Sequence, residues 1–202
     1  MKTIITIQHT QAEHHLNGMV GSWTDWPLTA LGLQQAERIG ERLRTELAGK
    51  RVALYASDLR RAAQTAACVG ERLGVEPIPR RELRERNLGR CCGQSVAWLR
   101  EHMTGPERTV DDRLFPDAES RRDAWNRLEP FFQEIMRGPD ETVLIVSHGD
   151  LLGSFHAMFL GLDVEALARV SISGPAGGVS WLEADGAERR VLRRLGDLSY
   201  LT

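Results

Sequence analysis

Three short runs of β-branched and aliphatic residues each stop at a polar residue, and helix-like periodicity fills the chain between them. The runs cover residues 3–8, 52–56 and 142–146, and their length and composition are those of buried strands. Strands that alternate with helices are typical of a largely parallel sheet with helices on both faces. The pattern therefore predicts an α/β protein, a three-layer α/β/α sandwich with a mostly parallel sheet.

The helices between these strands have recognisable starts and apolar faces. Thr29 can cap a helix whose inward face holds Ala36, Ile39 and Leu43, and Ser57 or Asp58 can cap the next. Further elements are expected: a weak strand over 75–79, a helix over 96–103, and a helix over 117–136 that is interrupted or kinked at Pro130. Another helix follows residue 146, and two or three edge strands are expected from about Val170, with turns at Gly177-Gly178 and Asp185-Gly186.

The length and charge of the chain narrow its class. A chain of 202 residues can form one domain over 1–202 with a full core. Its 26 basic and 28 acidic residues give a net charge of −2, which offers no electrostatic attraction to nucleic acid or to an anionic membrane. The basic run from Arg80 to Arg90 is interrupted by Glu82 and Glu85, so we expect it to be a solvated surface.

The cysteines and the apolar runs indicate in which cellular compartment the protein is expected. Cys68, Cys91 and Cys92 are an odd number without a CxxC pair, so reduced thiols are expected. Neither a signal peptide nor an apolar stretch long enough to cross a membrane is visible in the sequence. These features predict a soluble, cytoplasmic protein without membrane partners.

Chemistry-bearing residues follow the ends of the strands. His9 follows the first strand, Arg61 opens the helix after the second, and His148 follows the strand over 142–146. The carboxyl ends of parallel strands lie along one edge of a sheet, where ligands bind. Two imidazoles, a guanidinium fork and a helix N-terminus suit an oxyanion such as phosphate. We therefore expect a phosphate site at this edge, with His9 as its nucleophile.

Four motifs, in this order, carry a resemblance to a known family: Gln8-His9-Thr10-Gln11 with Asp25-Trp26-Pro27-Leu28-Thr29-Ala30-Leu31-Gly32; Ser57-Asp58-Leu59-Arg60-Arg61-Ala62 with Gln64-Thr65-Ala66; Leu83-Arg84-Glu85 with Gly89 and Gly93; and Val146-Ser147-His148-Gly149. Over residues 4 to about 160 the chain resembles the histidine phosphatase superfamily, which contains the cofactor-dependent phosphoglycerate mutases and related phosphatases. The resemblance implies a phosphoglycerate mutase-like fold.

The resemblance also implies roles for individual residues. His9 becomes a phosphohistidine, Arg61 and His148 stabilise charge on the phosphate oxygens, and Glu85 protonates the leaving group. No metal and no cofactor are expected, because arginine and imidazolium supply the positive charge. The expected phosphate-binding residues are Gln8, His15, Asn17, Ser22, Arg61 and Gly149.

The first motif departs from the family's Arg-His-Gly-Glu pattern. Gln8 replaces its arginine, Thr10 its glycine and Gln11 its glutamate, and His15 stands where the family's phosphate-contacting asparagine falls. Gln8 can donate a hydrogen bond but carries no charge and cannot form a bidentate fork. We therefore expect a weaker enzyme than the family pattern would give.

The best-supported function is a phosphomonoesterase, a hydrolase of the histidine phosphatase type acting on a small phosphorylated metabolite. Two alternatives stay open. The short segment between Glu85 and Asp117 leaves little room for the insertion that seals a mutase site, which disfavours a phosphoglycerate mutase. Gln8 and its neighbours motivate a catalytically impaired sensor or partner module. A homodimer is common among proteins of this family.

Overall fold

A computed structural model of the protein describes residues 1–185 and 189–202. The strands are β1 (Lys2–Gln8), β2 (Val52–Ser57), β3 (Ile78–Arg80), β4 (Thr142–Ser147), β5 (Val179–Ala184) and β6 (Arg190–Asp197). The helices are α1 (His14–Asn17), α2 (Ala30–Glu46), α3 (Arg60–Leu73), α4 (Val96–His102), α5 (Arg121–Arg137) and α6 (Gly149–Phe159). Short 3₁₀ turns cover Arg81–Leu83, Gly89–Cys91, Val164–Ala168 and Ser199–Leu201.

The strands form a mixed sheet in the order β3-β2-β4-β1-β5-β6. Neighbours from β3 to β1 run parallel, whereas β5 is antiparallel to both β1 and β6. Gln8 pairs with Ser147 and Ala56 pairs with Val146, so β1, β4 and β2 end at the same edge. This register brings together the residues that follow each strand.

Alternating side chains of the strands bury two apolar layers. On one face, Ile5 and Leu144 pack among α2 and α3 residues such as Ile39 and Val69. On the other face, Ile4 and Val143 pack among α5 and α6 residues such as Phe131 and Phe155. The predicted three-layer α/β/α sandwich with a mostly parallel sheet is confirmed.

Several local predictions need correction. Leu59, not Ser57 or Asp58, is the N-cap of α3, because the Ser57 hydroxyl accepts from Leu59 N–H and faces the sheet edge instead. Pro130, which is exposed, lies inside α5 without interrupting it, so an interruption of the helix there is ruled out. The weak strand lies at Ile78–Arg80 and not over 75–79, because that is where the backbone pairs with β2.

The tail differs from its prediction as well. β5 is an interior strand, because it pairs with β1 on one side and β6 on the other. The turn at Gly177-Gly178 is present, with Gly177 at a φ of 78° and Gly178 N–H donating to Pro175 O. Gly186, in the second expected turn, lies outside the described residues.

Three broader expectations meet the structure to different degrees. Within the described ranges, Cys68, Cys91 and Cys92 carry free thiols. No helix in those same ranges is long and apolar enough to cross a membrane. The division into one domain and the cytoplasmic location stay predictions.

Candidate active site

A cavity of about 250 Å³ opens at the edge where β1, β4 and β2 end. His9 N–H donates to Ser147 O, which continues the β1–β4 pairing one residue beyond β1. The residues that line the cavity come from the loops after these strands and from the segment before α4: Gln8, His9, His14, His15, Val20, Gly21, Ser22, Arg61, Glu85, Arg86, Leu88, Gly149 and Asp150.

His9 is buried and its ring is held in one tautomer. Its Nδ1 lies 2.9 Å from the carbonyl oxygen of Thr10, which can only accept, so Nδ1 carries the proton. The lone pair on Nε2 therefore faces the cavity, where Arg61 Nε–H donates to it at 3.1 Å. Burial, followed by the charge of Arg61, holds the pKa of His9 well below its usual range. The imidazole is thus neutral and its Nε2 is nucleophilic.

Arg61 is fixed before any ligand arrives. Its Nη1 donates to Thr24 O and its Nη2 to Ser22 O, both at 2.8 Å, and its side chain is fully buried. Burial lowers the pKa of Arg61 to about 10, which still leaves the guanidinium charged at neutral pH. Ser22 adopts a left-handed φ of 38°, and its carbonyl oxygen accepts from the guanidinium. A cation is therefore preorganised beside His9 Nε2.

The buried ring of His148 packs edge-on against that of His9, with ring centroids 5.1 Å apart, and His148 is not among the residues that line the cavity. Ser57 Oγ accepts from Leu59 N–H and lies 2.8 Å from His148 Nε2, and the hydroxyl can either donate to that nitrogen or accept from it. When the hydroxyl donates, His148 carries its own proton on Nδ1. That buried Nδ1 has no hydrogen-bond partner within the described part of the chain. In that tautomer Nδ1–H can donate to an incoming ligand.

Glu85 combines a raised pKa with a fixed position. Its two carboxyl oxygens accept from Arg86 N–H at 2.9 Å and from Asp150 N–H at 3.3 Å. Burial raises the pKa of Glu85 to about 7, and the nearby carboxylate of Asp150 adds to this rise. Its backbone carbonyl accepts from Trp23 Nε1 at 2.6 Å and from Arg127 Nη2 at 3.2 Å. Glu85 therefore suits proton transfer near neutral pH.

Two departures in the first motif serve the scaffold rather than the cavity. The Thr10 hydroxyl donates to Gly32 O at 2.8 Å, and Thr10 N–H donates to Thr65 Oγ1 at 3.2 Å. Gln11 Oε1 accepts from the Thr29 hydroxyl at 2.8 Å, at the start of α2. A Cβ on residue 32 would lie 2.0 Å from Gln11 O, so this close approach requires glycine. These residues tie the His9 loop to α2 and α3.

Gln8 is the departure that reaches the cavity. Its side chain lies beside Gly149, where a Cβ would sit 3.3 Å from Gln8 Oε1 and 3.5 Å from Nε2. Gln8 Oε1 is buried and makes no hydrogen bond to any described residue. The amide of Gln8 therefore reaches the cavity and brings no charge to it.

The other expected phosphate-binding residues differ in whether they line the cavity and in whether their polar atoms are available to a ligand. His15 lines the cavity and stacks on His9 at a centroid distance of 5.4 Å. Asn17 does not line it: the side chain is exposed and Oδ1 accepts from Met19 N–H at 2.9 Å. The Ser22 hydroxyl is already engaged, since it donates to Arg86 O and accepts from Leu88 N–H, both at 2.8 Å.

Sequence reasoning missed Arg86, which it assigned to a solvated surface. Arg86 is 6% exposed, pairs with the equally buried Glu107, and lines the cavity. A glutamate 21 residues away gave no local signal for this pair. Asp150, which follows the last motif by one residue, was missed too, although its place at the start of α6 after His148 offered a clue.

The comparisons with known proteins identify the family of the chain. The family model described as the histidine phosphatase superfamily (branch 1) matches residues 4–197. A probable phosphoglycerate mutase GpmB of Enterobacter sp. (strain 638) is 29% identical over 208 residues, covering 100% of this chain and 95% of that protein. A glucosyl-3-phosphoglycerate phosphatase of Mycobacterium tuberculosis (strain CDC 1551 / Oshkosh) is 30% identical over 199 residues, covering 92% and 86%.

One relative contradicts the expectation that a chain of this length is too short for a mutase. A 2,3-bisphosphoglycerate-dependent phosphoglycerate mutase of Allorhizobium ampelinum (strain ATCC BAA-846 / DSM 112012 / S4) is 30% identical, and the match covers 98% of this chain and 97% of that protein. Proteins named as mutases thus have the length of this chain. The short segment between Glu85 and Asp117 therefore does not distinguish a hydrolase from a mutase.

Solved structures share the fold over the whole chain. Bacillus stearothermophilus YhfR superposes with a TM-score of 0.83 at 27% identity, covering 100% of both chains. The mycobacterial glucosyl-3-phosphoglycerate phosphatase in complex with VO3 superposes with a TM-score of 0.83 at 25% identity, covering 97% of this chain and 99% of that one. The chain belongs to the histidine phosphatase superfamily.

Proposed function

We propose that the protein is a phosphomonoesterase that hydrolyses a small phosphorylated metabolite through a phosphohistidine on His9. The observation that carries the proposal is the state of His9: Nδ1 is committed to the Thr10 carbonyl, and the Nε2 lone pair faces a cavity beside a fixed guanidinium. A neutral imidazole held in one tautomer next to a cation is suited to attack on a phosphate ester.

The first half-reaction follows from the positions of the side chains. His9 Nε2 attacks phosphorus as Arg61 Nε turns from the ring to the phosphate, and the bond between phosphorus and the leaving oxygen breaks. Glu85 gives its proton to the departing alkoxide. The Arg61 guanidinium and His148 Nδ1–H stabilise the equatorial oxygens, a role typically worth ~10²–10³ in rate for each donor.

The second half-reaction reverses the role of Glu85. The carboxylate left after the first step takes a proton from water, and the resulting hydroxide attacks phosphorus. The N–P bond breaks, which releases inorganic phosphate and restores the neutral His9. A carboxyl group with a pKa of about 7 can act as acid and then base near neutral pH. The Arg61 guanidinium supplies the positive charge, and the neutral imidazoles supply the nucleophile and hydrogen bonds, so the proposed chemistry uses no metal and no cofactor.

A second cavity beside the first supports a small, polar leaving group. It has a volume of about 90 Å³ and shares Arg86, Gly149 and Asp150 with the candidate active site. Arg121, Ser154 and Ser173 line its other walls. A hydroxylated or anionic group of a few atoms would find hydrogen-bond donors there.

Hydrolysis of p-nitrophenyl phosphate from acid to neutral pH tests the enzyme against a non-catalytic sensor. We expect the wild type to turn over and His9→Ala to lose ~10⁴-fold or more in kcat, since the nucleophile is gone. His102→Ala, at an exposed position on α4, is the matched control and should keep full activity. Equal, negligible rates for the wild type and His9→Ala, with phosphate binding retained, would overturn the phosphatase and support the sensor.

A phosphoglycerate mutase is the second candidate, because relatives of full length carry that name. Both reactions share the phosphohistidine, and they differ in whether water or a second hydroxyl accepts the phosphoryl group. We expect free phosphate to accumulate with 3-phosphoglycerate and 2-phosphoglycerate. Exchange of phosphate between the two positions without free phosphate would contradict hydrolysis.

A further inference from the structure

Three histidine side chains meet at one side of the cavity. The ring centroid of His9 lies 5.6 Å from that of His14 and 5.4 Å from that of His15, and the latter two are 4.1 Å apart. One ring nitrogen from each residue lies within 4.8 Å of the other two. The three come from two neighbouring places in the chain, the end of β1 and the four-residue helix α1.

The nitrogens of this cluster are open to a ligand to different degrees. His9 Nε2 holds a lone pair toward the cavity. His14 Nδ1 is buried and has no hydrogen-bond partner among the residues that the structure describes. His15 Nδ1 accepts from Ala12 N–H at 3.1 Å, which orients the ring parallel to His9. A buried polar atom without a partner commonly marks a missing ion or water.

We propose that His9, His14 and His15 form a binding site for Zn²⁺ that blocks the active site. Three imidazoles with a fourth position left open are a common ligand set for zinc, with Zn–N distances of about 2.0–2.1 Å. Ligand atoms on a tetrahedral zinc lie about 3.3 Å apart. The ligand nitrogens must therefore close by about 1.5 Å or less, and the His15 ring, which stacks on His9, must also turn so that its lone pair points to the shared metal. His15 is exposed on a short helix that leaves it room for both movements.

The site would compete directly with the proposed reaction. His9 Nε2 cannot hold zinc and attack phosphorus at the same time, so bound zinc inhibits and its removal restores activity. Arg61 Nε–H must leave His9 Nε2, and its positive charge opposes the dication. The inhibition is thus expected to be reversible, with zinc removable by a chelator. This consequence rests on the proposed phosphatase function, whereas the binding itself does not.

Metal binding is tested without reference to activity, on the full chain. Titration calorimetry with Zn²⁺ should give one site per chain, and the affinity should fall about 100-fold or more in His14→Ala and in His15→Ala. His102→Ala is the control and should bind as the wild type does. Co²⁺ in place of Zn²⁺ should give the intense visible absorption of a tetrahedral site, lost in both variants.

The contrary results are distinct. Absence of a site in the wild type, or equal affinity in His14→Ala and His15→Ala, would overturn the proposal. A thiolate-to-cobalt charge-transfer band that survives in both variants would place the metal on a cysteine and would also overturn it.

Inhibition of enzyme turnover is a separate test. Inhibition of p-nitrophenyl phosphate hydrolysis by Zn²⁺, relieved by EDTA, supports blockade of the active site, and zinc binding that leaves turnover unchanged overturns the blockade. If the wild type shows no turnover, the proposed function fails while calorimetry still decides the zinc site.

Discussion

Two groups of polar side chains in and around the cavity differ in how many of their polar atoms already make hydrogen bonds. The inner group, His9, Thr10 and Arg61, makes hydrogen bonds to backbone and side chains of the loops around it. The open group, Gln8, His14 and His148, has a buried polar atom in each side chain that meets no partner in the described ranges. Both groups lie at the same sheet edge and both contain buried side chains, so burial alone does not explain which polar atoms make hydrogen bonds.

This difference in hydrogen bonding shows which part of the site is preorganised before a ligand binds. The hydrogen bonds that hold these side chains to the surrounding loops can stay in place during the reaction, and only the bond between Arg61 Nε and His9 Nε2 must be exchanged. Such preorganisation is the main source of electrostatic catalysis. Unpartnered buried atoms are costly unless something later satisfies them. We therefore assign the inner group to the chemical steps and the open group to the binding of a ligand, which is the phosphate or, at His14, the proposed Zn²⁺. The following predictions test that division, from the largest effect to the smallest.

After loss of the nucleophile itself, the largest effect is expected for Arg61→Ala, in the inner group. It removes the donor to His9 Nε2 and the cation nearest the phosphate, so kcat/KM should fall by ~10³-fold. Arg61→Lys keeps a charge but not the fork held by Ser22 O and Thr24 O, and it should recover only part of the loss. Steady-state kinetics on p-nitrophenyl phosphate measures both. A loss below about tenfold for Arg61→Ala would break the division.

Glu85→Gln should show an effect that depends on the leaving group. With an alkyl phosphate, loss of the acid should lower kcat/KM by ~10²-fold, because an alkoxide needs a proton as it departs. With p-nitrophenyl phosphate, whose phenolate leaves without help, the loss should be much smaller. Equal losses on both substrates would show that Glu85 is not the proton donor.

The pH profile checks the same residue from another direction. The acid must be protonated in the free enzyme, so kcat/KM should decline as the pH rises through the pKa of Glu85, about 7. The neutral state of His9 is retained well into acid because burial lowers its pKa, so no decline is expected just below pH 6.5. In Glu85→Gln the alkaline decline should vanish, and a decline that persists there would belong to another group.

Gln8→Arg tests the open group by filling the position of the missing charge. An arginine beside Gly149 should add a charge-assisted bond to the phosphate and raise kcat/KM by about tenfold. Gln8→Met, of similar length and without polar atoms, is the control for packing and should not gain activity. An unchanged or lower kcat/KM in Gln8→Arg would show that Gln8 does not face the anion.

Thr10→Ala should change activity least and stability most. It removes the hydroxyl that donates to Gly32 O inside a fully buried loop, and it leaves that carbonyl without its donor. We expect the free energy of unfolding to fall by about 1–3 kcal/mol, measured by urea denaturation, with kcat changed by no more than about threefold. A large loss of kcat without a loss of stability would move Thr10 from the scaffold to the chemistry.

The sequence predicted the fold well because periodicity and strand ends are local signals. Buried runs such as the one ending at Gln8 fixed the strands, and the order of the motifs placed His9, Arg61 and His148 at one edge. The helix cap at Leu59 was missed because the Ser57 hydroxyl serves His148, a residue 91 positions away. The burial of Arg86 was missed because its partner, Glu107, is also distant in the sequence and lies in a segment without periodicity.

The first motif shows where a pattern match stops being informative. Three of its four residues depart from the family pattern, and sequence alone could not separate them by consequence. The structure divides them: Thr10 and Gln11 bind the scaffold, whereas Gln8 lines the cavity. Side-chain direction at a strand end decides this difference, and it depends on packing from distant elements such as α2.

The central claim is that His9 carries the phosphoryl group during turnover. Rapid mixing with a phosphomonoester, quenching in base and mass spectrometry of the digested chain test it directly, because phosphohistidine survives base and is lost in acid. We expect an acid-labile phosphate on the peptide that contains His9, absent in His9→Ala and accumulating when Glu85→Gln slows its hydrolysis. Turnover without any phosphorylated peptide, or with the label on His14 or His15 while His9 stays unmodified, would contradict it.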